Sequence, residues 1–351
     1  MRLVGPGEYE DDGRASSGTE ANSAADLMKR TTPDVDPAAL QGEILQAVSR
    51  SFFLTLRVLP RGMRAPASLG YLLARLSDTI ADAGRLEEAA RRELLQRFRE
   101  AVASPGDPGA VPELAAELRR HLGGAGLTKG ERHLVWQASE CFDWLRGLGA
   151  PMAGHVRKVV TTITDGQLWD LDRFAGEGVV RLSSVTELDL YTYRVAGCVG
   201  EFWTEIGFAG RRRFSTESRE QLREWGAGYG KALQLVNILR DLPNDLDRGR
   251  CYLPGDRTPG GKELTEAARS WIPKARQGMV DGLRYTQSLC GLRLQIATGL
   301  PALLGLRTLD LLKRATWADL EAGVKVSRRE VRASVRQAIA ASVPWMRGGW
   351  E

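Results

Sequence analysis

Hydrophobic residues recur every three to four positions along most of the chain, which is the spacing of a helix that buries one face. Asp36 and Pro37 are suited to an N-cap and a first-turn proline, so we expect the first helix to begin there and to run through Ser49. Segments rich in Gly and Pro divide the remaining pattern into separate helices. The predicted helices cover residues 66–84, 86–103, 113–123, 129–147, 151–175, 184–208, 215–242, 262–290, 294–313 and 327–342.

Strand patterns are nearly missing from the sequence, because no run of alternating Val, Ile and Thr is bounded by hairpin turns. We therefore predict an all-α protein with a single domain at residues 37–343. Residues 1–36 are rich in Gly, Ser, Asp and Glu and are predicted to form a disordered tail. Residues 344–351 are predicted to be a C-terminal tail, whose two tryptophans could touch a membrane surface.

Composition limits the function classes. Hydrophobic residues make up 43% of the chain, which is ample for a large core. The formal charge of +5 is small and spread out, so it suits anionic substrates or a membrane surface and does not indicate nucleic-acid binding. No window resembles a transmembrane helix, and the N-terminus lacks the apolar stretch of a secretory signal. We expect a cytoplasmic monomer that contacts a membrane at most peripherally.

The cysteines and histidines do not form metal-binding motifs. The four cysteines are widely spaced, with no CxxC pair, and they are typical of buried thiols in a reducing compartment. The three histidines also lack ligand spacing and fit surface or core positions. A structural zinc site is therefore not expected.

The most informative feature is a pair of aspartates four residues apart, which occurs twice. The two pairs are Asp78–Asp82 and Asp241–Asp245. Residues four apart lie on one face of a helix, and both pairs lie in otherwise apolar segments. Ionised carboxylates are costly to bury unless a positive charge accompanies them. Two such faces across a cavity would hold Mg²⁺, and Mg²⁺ would hold phosphate oxygens.

The first pair belongs to a longer polar stripe. Tyr71, Arg75, Asp78 and Asp82 recur at helical spacing on one face. Because a core-facing stripe would be apolar, this one is expected to line a polar cavity.

The second pair also ends a polar stripe, which consists of Gln234, Asn237, Asp241 and Asp245. Pro243 lies between the two aspartates and should end or kink the helix near Asp241. Arg248 and Arg250 follow, where they could meet a phosphate group.

Two further segments contain candidate residues. Ser51 could cap a helix, and Arg50 beside it could bind a diphosphate oxygen. Tyr191 and Tyr193 precede a segment of small residues that would let a partner helix or a ligand approach closely. From the sequence pattern alone, a functional tyrosine and an ordinary half-buried tyrosine are equally good interpretations of each. The small residues are Ala196, Gly197 and Gly200.

Together the stripes predict a helical cup with a Mg²⁺–diphosphate site at its mouth and an apolar interior below. An isoprenoid diphosphate is the substrate class that fits. Metal ions would neutralise the departing diphosphate, and aromatic side chains could stabilise the resulting carbocation.

Five segments in order resemble the squalene and phytoene synthases, which join two prenyl diphosphates head to head. The resemblance covers about residues 45 to 335 and implies an isoprenoid synthase helical bundle around a central apolar cavity. The family often has an acidic residue where this chain has Asn244, and Pro243 is unusual there. The segments are SRSFFLTLRVLP, YLLARLSDTIAD, YTYRVAGCVG, LQLVNILRDLPNDLDRGRCYLP and VKVSRREV.

The resemblance implies roles for individual residues. Asp78, Asp82, Asp241 and Asp245 match the aspartates that bind Mg²⁺ in the family. Tyr191 matches a tyrosine implicated as the proton acceptor in forming a cyclopropyl intermediate. Further positions match residues that contact the substrate or its diphosphate: Arg50, Ser51, Phe52, Tyr71, Arg75, Gln234, Asn237, Arg240 and Arg250.

Within the family, the segment LSDTIAD looks more like squalene synthases, whereas GRCYLP is similar to bacterial phytoene-type enzymes. We predict a squalene synthase that uses farnesyl diphosphate, Mg²⁺ and NADPH. Lys325 and Arg328 match a region near the NADPH phosphates, although basic residues at a helix start explain them equally well.

Three alternatives stay open. A phytoene or dehydrosqualene synthase would need no hydride. A non-catalytic prenyl-lipid binding or assembly subunit would have no use for four costly carboxylates. A terpene cyclase would share the metal chemistry but convert a single prenyl diphosphate.

Overall fold

The computed structural model describes residues 40–49, 52–105, 109–124, 126–255 and 260–342. A π-helical turn, Leu40–Ile44, leads into the first α-helix. The helices of the first half are α1 (Leu45–Ser49), α2 (Phe52–Val58), α3 (Arg61–Ala81), α4 (Glu88–Ala103), α5 (Ala110–Leu122), α6 (Lys129–Trp136), α7 (Ala138–Gly147) and α8 (Ala150–Arg173).

The second half begins with strand β1 (Val180–Arg181), and a second strand, β2 (Arg250–Cys251), follows later in the chain. A π-helical turn, Tyr193–Gly197, joins two of its helices without a break. The helices are α9 (Val185–Thr192), α10 (Cys198–Gly210), α11 (Arg219–Arg240), α12 (Leu242–Asp247), α13 (Gly261–Ser288), α14 (Leu292–Arg314), α15 (Trp317–Ala322) and α16 (Arg328–Ser342). The prediction of an all-α fold is confirmed.

Several predicted helices differ from the observed ones, and two of the differences change where a helix begins or breaks. The segment 129–147 forms two helices, α6 and α7, which meet at Gln137. The helix expected from residue 66 begins at Arg61 instead, so that Pro66 lies inside α3 rather than at its start. Pro243 acts as predicted, because α11 ends at Arg240 and the proline occupies the first turn of α12.

The apolar faces of the long helices form the core. Helix α11 packs between α10 and α13, and α13 packs in turn on α14. On the other side, α8 packs on both α3 and α4. Leu235 of α11, Met279 of α13 and Leu303 of α14 are buried in one cluster, whereas Leu72 and Leu76 are fully buried on α3. The core therefore extends along both sides of the π turn.

Close backbone contacts fix the position of the π turn and of α10. An added Cβ at Gly166 of α8 would lie 2.9 Å from side-chain carbons of Arg194 and Val195. A Cβ at Gly230 of α11 would lie 2.2 Å from the carbonyl oxygen of Ala196. Glycine is thus required on both helices that enclose the turn, because any side chain would push them apart.

Gly200 and Gly226 provide the crossing point of α10 and α11. A Cβ at Gly200 would lie 1.8 Å from the carbonyl oxygen of Gly226. The sequence analysis expected the small residues near Gly200 to permit a close approach, and the structure confirms it.

The strands β1 and β2 pair in parallel, with Val180 opposite Arg250 and Arg181 opposite Cys251. Each has two residues, which is too short to give an alternating pattern in the sequence. Their pairing holds the segment after α12 beside the end of α8. No helix within the described ranges is long and apolar enough to span a membrane.

Candidate active site

Asp78 and Asp82 lie at the C-terminal end of α3. Asp82 is the residue that ends the helix, and its backbone N–H donates to the Asp78 carbonyl at 2.9 Å. The Asp78 side chain keeps 47% of its surface exposed, yet the surrounding helices desolvate it enough to raise its pKa to about 6. Arg75, which lies on the same helix, opposes that rise.

Both aspartates line a polar cavity of about 260 Å³ between α3, α8, α9 and α11. The cavity brings together five residues that the sequence analysis selected, from three distant segments. These are Asp78, Asp82, Tyr191, Gln234 and Arg250. Gln167 and Asp170 of α8 line the same cavity and were missed.

Helix α8 supplies the wall of the cavity that faces α3. Gln167 donates from Nε2 to Oδ1 of Asp78 at 2.6 Å, which joins the two helices. Asp170 lies one turn further along and is 6% exposed. The two residues lie three positions apart on one face of α8, but they form no acidic pair four residues apart, which is the pattern that selected Asp78.

Asp170 is the centre of a buried polar network. Arg250 Nη1 lies 2.5 Å from one carboxylate oxygen, and the Tyr252 hydroxyl donates to the other at 2.7 Å. Burial raises the pKa of the Asp170 carboxyl, while the Arg250 charge and the Tyr252 hydrogen bond act against that rise. Arg250, on β2, is thus held at the cavity by a carboxylate of α8.

Tyr191 is 7% exposed and lies between two other aromatic rings. Its ring stacks on Tyr252, with centroids 4.6 Å apart and planes 18° from parallel, and it lies 5.9 Å from the ring of Trp169. Burial raises the pKa of the Tyr191 hydroxyl, so the phenol stays neutral. Tyr191 thus contributes an aromatic ring to the lining of the cavity, and such a ring can interact with a cation.

The second aspartate pair occupies the junction of α11 and α12. Arg240 holds Asp241 with two hydrogen bonds, Nε to Oδ1 at 2.8 Å and Nη2 to Oδ2 at 2.6 Å. Burial, followed by the Asp241 charge, raises the pKa of Asp245 to about 7. Neither Asp241 nor Asp245 lines the cavity. The charges of two residues that do line it, Asp170 and Arg250, nevertheless influence the pKa of Asp245.

Tyr71 and Arg75 extend the α3 stripe away from the cavity. The Tyr71 hydroxyl donates to the Val48 carbonyl at 3.2 Å. Arg75 donates to Glu131 of α6 at 2.5 Å and lies 3.9 Å from Asp78. Neither residue lines the cavity, so their predicted contact with diphosphate stays a prediction.

Other predicted residues lie beside the cavity or apart from it. Asn237 donates weakly to Gln234 at 3.4 Å and does not line the cavity. Lys325 and Arg328 are exposed around the start of α16 and also do not line it. Arg50 and Ser51 lie outside the described residues, and nothing is described of the Phe52 side chain.

A second cavity, of about 210 Å³, is apolar. Its walls come from the π turn, α10, α11, α13 and α14, and they include Gly200, Gly226 and Tyr229. Val195 of the π turn lines both cavities, so the polar and apolar spaces adjoin at this residue. The side chain of Val195 is thus a wall that the two cavities share.

The family profile described as squalene/phytoene synthase matches residues 45–330. The chain belongs to the squalene/phytoene synthase family. The match includes both aspartate pairs, Tyr191 and the network around Asp170. Members of this family are prenyltransferases.

Several curated members of the squalene/phytoene synthase family are similar in sequence. A presqualene diphosphate synthase from Rhodopseudomonas palustris is 31% identical over 230 residues, 66% of this chain and 65% of the relative. A phytoene synthase from Thermus thermophilus is 30% identical over 213 residues, which cover 61% of this chain and 57% of the relative. A squalene synthase from Saccharomyces cerevisiae is 31% identical over 215 residues, covering 60% and 44%. The match thus spans less than two thirds of each relative.

Solved structures show the same fold. The squalene synthase TcSQS in complex with the ligand E5700 superposes with a TM-score of 0.71 at 20% identity, covering 89% of each chain. A dehydrosqualene synthase in complex with a ligand gives a TM-score of 0.51 at 17% identity, covering 86% of this chain and 94% of the other. The fold class predicted from the sequence, an isoprenoid synthase helical bundle, is confirmed.

Proposed function

We propose that the protein is a squalene synthase that joins two farnesyl diphosphates into presqualene diphosphate and reduces this intermediate to squalene with NADPH. The observation that carries the proposal is that an aspartate-lined cavity lies next to an apolar one, with Val195 lining both. This arrangement suits a substrate with an anionic head and a hydrocarbon tail.

The residues around the polar cavity fit Mg²⁺. All the candidate ligands are carboxylate oxygens, which this hard cation prefers. Within the described ranges, no three His, Cys, Asp or Glu side chains lie close enough to hold a metal unaided, so diphosphate oxygens would have to complete the coordination. Asp78 and Asp82 on one side and Asp241 and Asp245 on the other would hold the ions. The bound ions would neutralise the leaving diphosphate.

The protein's own groups account for the other requirements of the first step. Arg250, held by Asp170, can donate to a diphosphate oxygen. Tyr191 adjoins the same cavity, and its neutral hydroxyl can accept a proton from a carbocation through an oxygen lone pair. The rings of Trp169 and Tyr252 beside it can stabilise positive charge.

NADPH would supply the hydride for the second step. Lys325 and Arg328 are its candidate ligands by resemblance alone, because neither lines the cavity. The proposal for this step therefore rests on the similarity to squalene synthases.

Product analysis tests the proposal directly. Purified protein is incubated with farnesyl diphosphate and Mg²⁺, with and without NADPH, and products are identified by gas chromatography and mass spectrometry. Presqualene diphosphate is detected as its dephosphorylated alcohol. We expect squalene only with NADPH and presqualene diphosphate without it.

Other products would assign the chain elsewhere. Presqualene diphosphate in both reactions would make it a presqualene diphosphate synthase, like the Rhodopseudomonas relative by name. Dehydrosqualene regardless of NADPH, or phytoene from geranylgeranyl diphosphate alone, would move it to the carotenoid branch. A cyclic product from a single prenyl diphosphate would identify a terpene cyclase. No diphosphate release from any prenyl substrate would favour a binding subunit.

A further inference from the structure

The side chain of Gln167 connects the two walls of the polar cavity. Its Nε2 donates to Oδ1 of Asp78 at 2.6 Å, and the residue is 9% exposed. The hydrogen bond joins α8 to α3 at the first aspartate of the first pair. Asp78 Oδ2 lies 3.9 Å from Arg75 Nη1, beyond hydrogen-bond distance.

Chemistry fixes the orientation of the Gln167 amide. An ionised carboxylate only accepts hydrogen bonds, so the NH₂ group must face Asp78. The reversed amide would place two acceptor oxygens against each other. The assignment of Nε2 and Oε1 therefore follows from the partner.

The other end of the amide is left unsatisfied. Oε1 of Gln167 is buried and has no hydrogen-bond partner among the residues that the structure describes. An unpaired buried acceptor is unfavourable, and an apolar side chain of similar length, such as methionine, would avoid it. The amide is therefore best explained by what Nε2 does for Asp78.

We propose that Gln167 is a positioning residue that holds Oδ1 of Asp78 and leaves Oδ2 free for a divalent cation. The inference rests on the proposed function, because it assumes that Asp78 binds a cation together with diphosphate.

Metal affinity tests the inference without relying on turnover. Mn²⁺ replaces Mg²⁺ as a visible probe, inorganic pyrophosphate replaces the substrate head, and free Mn²⁺ is measured by electron paramagnetic resonance. We expect Gln167→Met to weaken Mn²⁺ binding by about 10- to 100-fold, the usual effect of losing a partner of a metal ligand.

Gln277 provides a matched control. Its Nε2 also donates to an aspartate, Asp281, at 3.2 Å, but on the exposed surface of α13. Gln277→Met should leave Mn²⁺ binding unchanged. If Gln167→Met fails to fold by circular dichroism, Gln167→Asn replaces it, since the shorter amide cannot reach Asp78 and should show the same loss.

Two further variants separate positioning from other roles. In an Asp78→Asn background, Gln167→Met should weaken binding by less than about 2-fold, because the residue acts through Asp78. If Gln167→Met weakens Mn²⁺ binding in the Asp78→Asn background as much as it does in the wild type, the inference is overturned.

Gln167→Glu should bind Mn²⁺ more weakly than the wild type, because it removes the donor and adds a negative charge. Tighter binding would show that this position contacts the metal itself, and would also overturn the inference.

The outcomes distinguish this inference from the proposed function. If the wild-type protein binds no Mn²⁺ with pyrophosphate, both the metal role of Asp78 and the positioning role of Gln167 are wrong. If the wild-type protein binds Mn²⁺ and the folded Gln167→Met variant binds it equally well, only the positioning role is wrong.

Discussion

The contact between Gly200 and Gly226 makes a sharp test of the packing described above. In Gly200→Ala, the new Cβ would lie 1.8 Å from the Gly226 carbonyl oxygen, whereas real Cβ contacts are essentially never below 3.0 Å. The two helices would have to separate by at least about 1.2 Å, the difference between these distances. Because the obstacle is backbone, no side-chain rotation can relieve the clash.

The magnitude follows from two opposing effects. Overpacking of a well-packed core costs about 1–3 kcal/mol, and a backbone obstacle places this case at about 3 kcal/mol. Replacing glycine by alanine inside a helix returns about 1 kcal/mol. We expect Gly200→Ala to lower the free energy of unfolding by about 2 kcal/mol. At about 2 °C per kcal/mol for a chain of this size, Tm should fall by about 4 °C.

Gly228 is the matched control, two residues from Gly226 on α11. A Cβ at Gly228 meets nothing within 4 Å, so Gly228→Ala should only gain helix propensity and raise Tm by about 2 °C. Thermal unfolding followed by circular dichroism at 222 nm measures both variants. Equal Tm values for Gly200→Ala and Gly228→Ala would refute the packing argument.

Three further predictions concern the polar site. Loss of a residue that supports a metal ligand typically costs up to about 100-fold in activity. Because Asp78→Asn would remove the ligand itself, turnover should fall by more than this, with the helical circular dichroism unchanged. Tyr252→Phe leaves buried Asp170 with Arg250 alone and should cost about 1–3 kcal/mol of stability in chemical denaturation. The raised pKa of Asp245, about 7, means that between about pH 4 and 7 the metal-free folded state keeps a proton that the unfolded chain has released. Stability should therefore fall as pH rises through this window, and Asp245→Asn should flatten the fall in Tm measured in a chelator.

Each of these has a contrary result. Near-normal turnover of Asp78→Asn would remove this residue from the metal site. Unchanged stability of Tyr252→Phe would mean that water replaces the lost hydroxyl beside Asp170. If Tm of the wild type falls no more steeply from pH 5 to pH 7 than Tm of Asp245→Asn, the raised pKa of Asp245 is wrong.

The sequence predicted those site residues whose position depends on local helix geometry. Asp78 and Asp82 were identifiable because residues four apart share a face, and the structure places both on one cavity wall. The end of α11 near Asp241 was predictable from Pro243, since proline cannot continue a helix.

Residues that depend on contacts between distant segments were missed. Asp170 gains its importance from Arg250 and Tyr252, about 80 positions later in the chain, and no local pattern reveals that pairing. The break at Gln137 has no glycine or proline to mark it, so the local sequence predicted a single helix. The two-residue strands likewise depend on a distant pairing, of Val180 with Arg250 and of Arg181 with Cys251.

The π turn at Tyr193–Gly197 has a consequence for how this segment can change during evolution. A π turn behaves like one residue inserted into an α-helix. Each residue of an α-helix turns by about 100°, so removing one residue here would rotate Gly200 and everything after it by about 100° relative to Tyr191. Gly200 would then face away from Gly226, and Tyr191 would lose its fixed relation to the apolar cavity. We therefore expect homologous chains to vary in the identity of these residues far more readily than in their number.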